Sequence, residues 1–366
     1  MTKRIGILTA GSDSPGLNAA IRAIGKSAQG DYGMEIIGFL DGFSGLVLDE
    51  TIQPALSGIL TTGGTILGTS RAIPRENKED SQMEAAVATY RRHNLDVLVC
   101  IGGKEAVESA LRLSQHGLNV IVVPKGIDND LAMTDTTIGF DTALGTATEA
   151  IDRLHSTAHS HHRIILVEIM GRNTGWLALG SGLAGGADVI VIPEIPYDVR
   201  KISDAIVARN RSGRRFSIVA VSEGGISKDT VEFFQRSKNM NRMSRSGEAQ
   251  AVIDQRMERI ESGLSGNTIY LSNRLGMFTG LETRITILGH LLRGGAPSAA
   301  DRVLATYLGT TAVRLINEDR YGVMVAVQNG AAVPVPLADV VGKHKQIPPD
   351  HAWLEAARRV GTNFGE

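Results

Sequence analysis

Short β-branched runs alternate with helical stretches along this chain, and that order restricts its fold more than any other feature. Arg4–Thr9, Glu35–Phe39, Asp96–Ile101 and Asn119–Val123 read as strands, each followed by turn residues and a helical pattern. The runs are apolar almost end to end, as strands covered on both faces require. The rhythm resumes beyond about Phe140. Arg163–Ile169, Val189–Ile192 and Phe216–Val221 are strands, and Trp176–Gly180 and Val199–Asn210 are helical in pattern between them. This order predicts an α/β chain of two doubly wound lobes with mainly parallel sheets. A length of 366 residues suits two lobes better than one core. Ligands of such sheets gather at the carboxyl ends of strands. Glycine and charge collect there, at Gly11, Gly102, Lys125, Gly171 and Glu223. From Gly224 to Leu281 the pattern weakens. Phe233 to Arg245 read as a solvated excursion and Glu248–Glu261 as one helix.

Several function classes drop out. A net charge of −1 argues against a nucleic-acid surface. No apolar stretch approaches the ~20 residues of a membrane helix. The start, Met1 to Gly6, lacks the apolar core of a signal peptide, so a cytoplasmic location is expected. Cys100 is alone, so no intramolecular disulfide forms, and it ends an apolar run as a core filler. No Gly-x-Gly-x-x-Gly follows a strand, which argues against a dinucleotide-dependent dehydrogenase.

What remains points to phosphate. Gly11-Ser12-Asp13-Ser14-Pro15-Gly16 lies between a strand and a helix, where backbone N–H groups suit an anion or simply make a tight turn. Thr61 to Arg71 is a second glycine and hydroxyl loop, ending on an arginine that is either a phosphate clamp or a surface residue. Asp128 and Asp130 stand two apart after an apolar strand. In an extended segment their side chains would point the same way, one able to take a proton and the other to orient or hold a metal. A solvated acidic turn fits the spacing equally well. Lys125 would offset negative charge nearby. Arg163, Arg172, Arg284, His290 and Arg293 cluster at strand ends, and arginine's planar fork suits a phosphorylated ligand. His159, His161 and His162 read as polar turn residues rather than as metal ligands.

Taken together, the loop from Gly11 to Asn18, Gly63-Gly64-Thr65 to Arg71, Ile127-Asp128-Asn129-Asp130, Met170-Gly171-Arg172 and Gly289-His290 to Gly295 resemble 6-phosphofructokinase of the bacterial type over nearly the whole length. The resemblance implies phosphoryl transfer to the C1 hydroxyl of fructose 6-phosphate. Asp128 would be the base, Asp130 its supporting carboxylate, and Arg172 the arginine that stabilises the transferring group. Gly126, Met170, Gly171, Glu223, His290 and Arg293 would hold the sugar. Arg163 and Arg284 would bind its 6-phosphate from a neighbouring subunit, which implies a homodimer or homotetramer. Gly11, Ser12, Arg71, Gly102, Gly103, Lys104, Glu105 and Lys125 would face the donor, ATP or pyrophosphate, with Mg2+. The donor lobe would comprise residues 1–139 and about 292–341. The sugar lobe would comprise 140–291 and about 342–366, with an insertion around 224–281.

Five positions depart from the family pattern, all around the donor. Lys104 stands where an aspartate serves magnesium, so no metal ligand exists there and Asp130 is the carboxylate left for it. Glu105 replaces glycine, Ala106 a hydroxyl residue, Ser12 a glycine and Gly126 a threonine. Three readings follow. Lys104 could supply part of the metal's charge. Glu105 with Lys125 could select pyrophosphate. Or the chain could bind fructose 6-phosphate as a regulatory subunit or sensor and transfer little. The family's effector positions are altered too: Arg22 and Asp188 match, whereas Lys26, His155 and Ala55 replace arginines.

Overall fold

The computed structural model describes residues 2–74, 76–77, 80–233 and 266–366. They form two compact units, Met1–Ala143 with Arg293–Lys345, and Leu144–Leu292 with Gln346–Glu366. The helix expected over 248–261 and the excursion beyond Phe233 lie outside the described residues.

Among the described residues, the first unit holds a seven-stranded sheet. Its order is Ala331–Pro336, Val323–Gln328, Val120–Pro124, Val97–Gly102, Arg4–Ala10, Glu35–Phe39, Thr51–Ile52. All pairings are parallel except at the two margins, where the outermost strands pair antiparallel. From Arg4–Ala10 the chain steps outward to Glu35–Phe39, then returns on the other side at Val97–Gly102. Strand order reverses between Arg4–Ala10 and Val97–Gly102, and such a reversal opens a crevice beyond the carboxyl ends.

Alternate side chains of each strand enter two different cores. Ile5, Ile7, Val97, Val99, Ile121 and Val123 pack with Leu17, Ile21 and Ile24 of the helix Leu17–Tyr32 and with Leu308 and Ala312 of the helix Ala299–Asn317. Leu8, Leu98, Cys100, Val120 and Val122 pack with Met83 and Ala86 of the helix Gln82–Arg92 and with Val107, Ala110 and Leu113 of the helix Lys104–Gln115. Both faces are covered, which is why these runs are apolar throughout. Cys100 is fully buried, and burial lifts its thiol pKa far above the usual range, as a core filler requires.

The two long helices of this region begin on one carboxylate. Asp301, 1% exposed, accepts the backbone N–H groups of Gly139 and Thr142, both at 2.8 Å, where the helix Phe140–His161 starts. Asp301 also lies in the first turn of Ala299–Asn317, whose N-cap Ser298 accepts from the Asp301 N–H at 3.1 Å. Negative charge is favoured at both helix N-termini.

The second unit has a four-stranded parallel sheet among the described residues, in the order Thr283–Ile287, Ile164–Ile169, Ser217–Ser222, Val189–Val191. One face packs on Val199, Ile202 and Ile206 of the helix Val199–Arg211 and on Leu271 and Leu275 of the helix Asn267–Thr279. The helix Trp176–Ala184 covers the other. The mainly parallel, doubly wound architecture expected from sequence is thus present. One local reading is corrected. His159 and His161 belong to the helix Phe140–His161, which runs on because the buried Ala158 anchors its last turn, and the His159 ring packs edge-on to Phe216 with centroids 5.6 Å apart. His162 alone of the three sits in a turn, with φ 55°.

Candidate active site

In the first unit, three adjacent strands deliver their following loops to one sheet edge: Gly11 to Gly16 after Ala10, Gly103 after Gly102, and Lys125 to Asp130 after Pro124. The first loop is pinned by the Gly11 N–H donating to Ser70 O at 2.8 Å. Gly16, with φ 94°, starts the helix Leu17–Tyr32 and gives it no side-chain cap. Three cations converge on this loop. Arg71 Nη2 donates to Ser12 Oγ at 3.1 Å, Lys125 Nζ donates to the Ser12 carbonyl, and Arg293 Nη1 lies 4.0 Å from Asp13 Oδ1. Arg293, grouped with the sugar residues by sequence, belongs to this unit.

Lys125 is 4% exposed. Burial pulls its pKa down to about 8, partly offset by the charges of Glu105, Asp13 and Asp128, while Arg293 pushes it further down. An unfolded lysine titrates near 10.4. Between these values the unfolded chain keeps a proton that the native chain has lost, so native stability rises with pH across that window. Wild type should therefore gain about 2–3 kcal/mol over Lys125→Met between pH 7 and pH 10. Urea unfolding of both proteins at the two pH values measures it, and a pH-independent difference would contradict a buried ammonium.

The acidic loop is a turn, not an extended segment. Ile127 and Asp128 form the turn and Asn129 is left-handed, with φ 50°. The alternation that would aim Asp128 and Asp130 the same way therefore does not operate. Gly126 takes φ 153°, a conformation that disfavours the threonine usual in the family. Its N–H donates to Ile138 O at 3.0 Å and its carbonyl accepts from Thr137 Oγ1 at 2.5 Å.

Lys104 opens the helix Lys104–Gln115 after Gly103. Its Nζ pairs with Asp130 Oδ2 at 2.5 Å and lies 2.8 Å from His344 Nδ1. The Lys345 N–H donates to Asp130 O at 3.1 Å, and Leu131 and His344 share a β-bridge. The carboxylate left over for magnesium is thus held by an ammonium. Among the described residues, no group of three His, Cys, Asp or Glu side chains could hold a metal ion. This face does not fit a protein-held Mg2+ at Lys104 or Asp130.

In the second unit, the carboxyl ends of three adjacent strands carry Gly289–His290, Met170–Arg172 and Glu223. Two of these loops are stitched together. The Gly224 N–H donates to Gly171 O at 3.0 Å, and Ser222 Oγ donates to the same carbonyl at 2.5 Å. A Cβ at Gly224 would sit 1.9 Å from the Arg172 carbonyl oxygen, so only glycine permits this approach. Arg172 and His290 are exposed and Glu223 is half-buried. Beneath them Glu168 is 8% exposed. Burial raises its carboxyl pKa, Thr268 opposes the rise by a hydrogen bond, and the Glu223 charge adds to it.

Arg163 and Arg284 lie at the other end of the same sheet. Arg163 immediately precedes the strand Ile164–Ile169, and Arg284 pairs in register with Ile165. Both contact Glu282, Arg163 Nε at 2.6 Å from Oε2. Strands rise about 3.3 Å per residue, so within one copy these arginines stand well away from Arg172 and His290. Asp188, of the expected effector set, pairs with Arg209 at 2.6 Å and accepts the Ile218 N–H at 3.0 Å.

Sequence reasoning missed His344, Lys345, Glu282 and Glu168. Glu282 had a local signal, an acid two residues before Arg284. His344 had none, being 240 positions from Lys104.

A family model described as phosphofructokinase matches residues 4–316. An ATP-dependent 6-phosphofructokinase of Propionibacterium freudenreichii subsp. shermanii is 50% identical over 373 residues, covering 100% of each chain. An ATP-dependent 6-phosphofructokinase of Spirochaeta thermophila is 45% identical over 380 residues, covering 100% of this chain and 98% of that one. Among solved structures, Pichia pastoris phosphofructokinase in the T-state superposes with a TM-score of 0.77 at 30% identity, over 93% of this chain and 35% of that longer one. With the crevice-forming sheet order, the strand-end loops and these relationships together, the chain belongs to the phosphofructokinase family.

Proposed function

We propose that this chain transfers a phosphoryl group to the C1 hydroxyl of fructose 6-phosphate, giving fructose 1,6-bisphosphate, a glycolytic step. The observation that carries this reading is full-length identity of 50% to an ATP-dependent 6-phosphofructokinase, joined to an acidic loop beside a buried lysine at a strand-order reversal. Asp128 takes the proton of the attacking hydroxyl, and its charge helps hold the proton of the buried Lys125. Asp130 supports it. Arg172 stabilises the group in transit. Met170, Gly171, Glu223 and His290 orient the sugar. Arg163 and Arg284 serve the 6-phosphate of a neighbouring copy, a role supported by their position at the far end of the sheet from Arg172, and one that makes the working form a homodimer or homotetramer in the cytoplasm. The donor is ATP or pyrophosphate, and the names of the full-length relatives favour ATP. On this face the Asp130 carboxylate is already paired with Lys104.

The Lys104–Asp130 pair favours a second reading, a sugar-phosphate binder that transfers slowly. One assay separates the two. Purified protein with fructose 6-phosphate, magnesium and either ATP or pyrophosphate should form fructose 1,6-bisphosphate. No product from either donor over a wide range of enzyme concentration would reject the kinase and leave the binder.

A further inference from the structure

We infer that Lys104 is the resident cation of the donor face: its ammonium occupies Asp130, stands in electrostatically for one divalent ion, and lets the chain bind a metal-free polyphosphate at least as well as the magnesium complex. The inference rests on the phosphofructokinase reading of that face and specifies the ionic form of its donor.

Geometry supplies the first support. An ammonium has three N–H donors. Asp130 Oδ2 at 2.5 Å and His344 Nδ1 at 2.8 Å engage two, which leaves one for a phosphate oxygen. The Lys104 and Asp130 side chains are 21% and 20% exposed, so the pair is sheltered yet reachable from solvent. His344 is itself fixed by its β-bridge to Leu131, and Lys345 by its bond to Asp130 O, so the lysine is tethered rather than loose.

Charge supplies the second. Lys125, Arg71 and Arg293 stand with Asp13, Glu105 and Asp128 about the first loop, and Lys104 pairs with Asp130, four cations to four carboxylates in all, while Lys345 and Asp135 add one of each. With aspartate at 104 the first count would be three against five. The deficit of two is the charge of one divalent ion. One residue thus changes the local balance by the amount that one magnesium ion would.

The helix supplies the third. Lys104 is the first residue of Lys104–Gln115, at the positive end of the helix dipole, where a cation is disfavoured. Helix stability does not account for a lysine there, whereas an electrostatic role at the strand-end loops does.

The test is calorimetric titration of the full chain with inorganic tripolyphosphate, once in EDTA and once in excess magnesium. Wild type should bind the metal-free probe with a Kd equal to or below that of the magnesium complex. Lys104→Met should weaken metal-free binding about tenfold, the loss of one charge-assisted contact. Lys104→Asp should reverse the preference in favour of magnesium. A wild-type preference for the magnesium complex beyond about threefold, no binding in either condition, or a Lys104→Met affinity equal to wild type would each overturn the inference. The wild-type ratio decides even where a variant fails to fold. A parallel titration with fructose 6-phosphate keeps the two readings apart. Loss of sugar binding sinks the kinase reading alone, and a magnesium preference sinks the role of Lys104 alone.

Discussion

Asp128→Asn should lower kcat by about 10²–10⁴-fold, with little change in KM for fructose 6-phosphate. The amide keeps the size and most hydrogen bonds of the carboxylate but cannot accept a proton. The backbone around it is held independently, through the Gly126 and Thr137 contacts. The turn should therefore survive, and the loss should fall on the chemical step. Steady-state kinetics with the better donor, beside circular dichroism, measures this. A variant retaining more than about a tenth of wild-type kcat would move the base to another residue.

The second large effect concerns stability. Asp301→Ala should destabilise the first unit by about 3–5 kcal/mol. The carboxylate serves the Gly139 N–H, the Thr142 N–H and the Thr142 hydroxyl, all in a buried setting. Alanine strands these donors away from water, at about 1–3 kcal/mol each before relaxation. Asp301→Asn keeps one acceptor oxygen and should lose less. A two-unit protein need not unfold in one step, so hydrogen exchange is the better measure than a global melt. Amides in the first turns of Phe140–His161 and Ala299–Asn317 should exchange about 10²–10³ times faster. Unchanged protection there would mean that water replaces the carboxylate at no cost.

Much of the architecture was legible in sequence because its strands are buried on both faces, which leaves unmistakable runs such as Val97–Ile101 and Val120–Val123. The marginal strands were not. Thr51–Ile52 is two exposed residues. In Ala331–Pro336 prolines interrupt the pattern, and a proline is admissible only because this strand is an edge. The helix Ala299–Asn317 carries polar residues on its buried face, among them Asp301 and Thr311, which blurred its period. At the candidate site, the loops after strands could be found because they are local. The turn at Asp128 could not, since it depends on a left-handed Asn129 and on bonds to Ile138 and Asp135. Nor could the contact of Lys104 with His344, which exists only once distant segments meet.

The strand Val323–Gln328 lies beside Val120–Pro124, although 199 positions separate Val323 from Pro124 (323 − 124). During synthesis at ~5–20 residues per second, Val120–Pro124 emerges roughly 10–40 s before its neighbour. For that interval an apolar strand has one unpaired margin, the kind of surface that recruits stray strands from other nascent chains. Demand for chaperones should accordingly peak before translation reaches Val323, and pausing upstream of that codon should cost more yield than pausing after it.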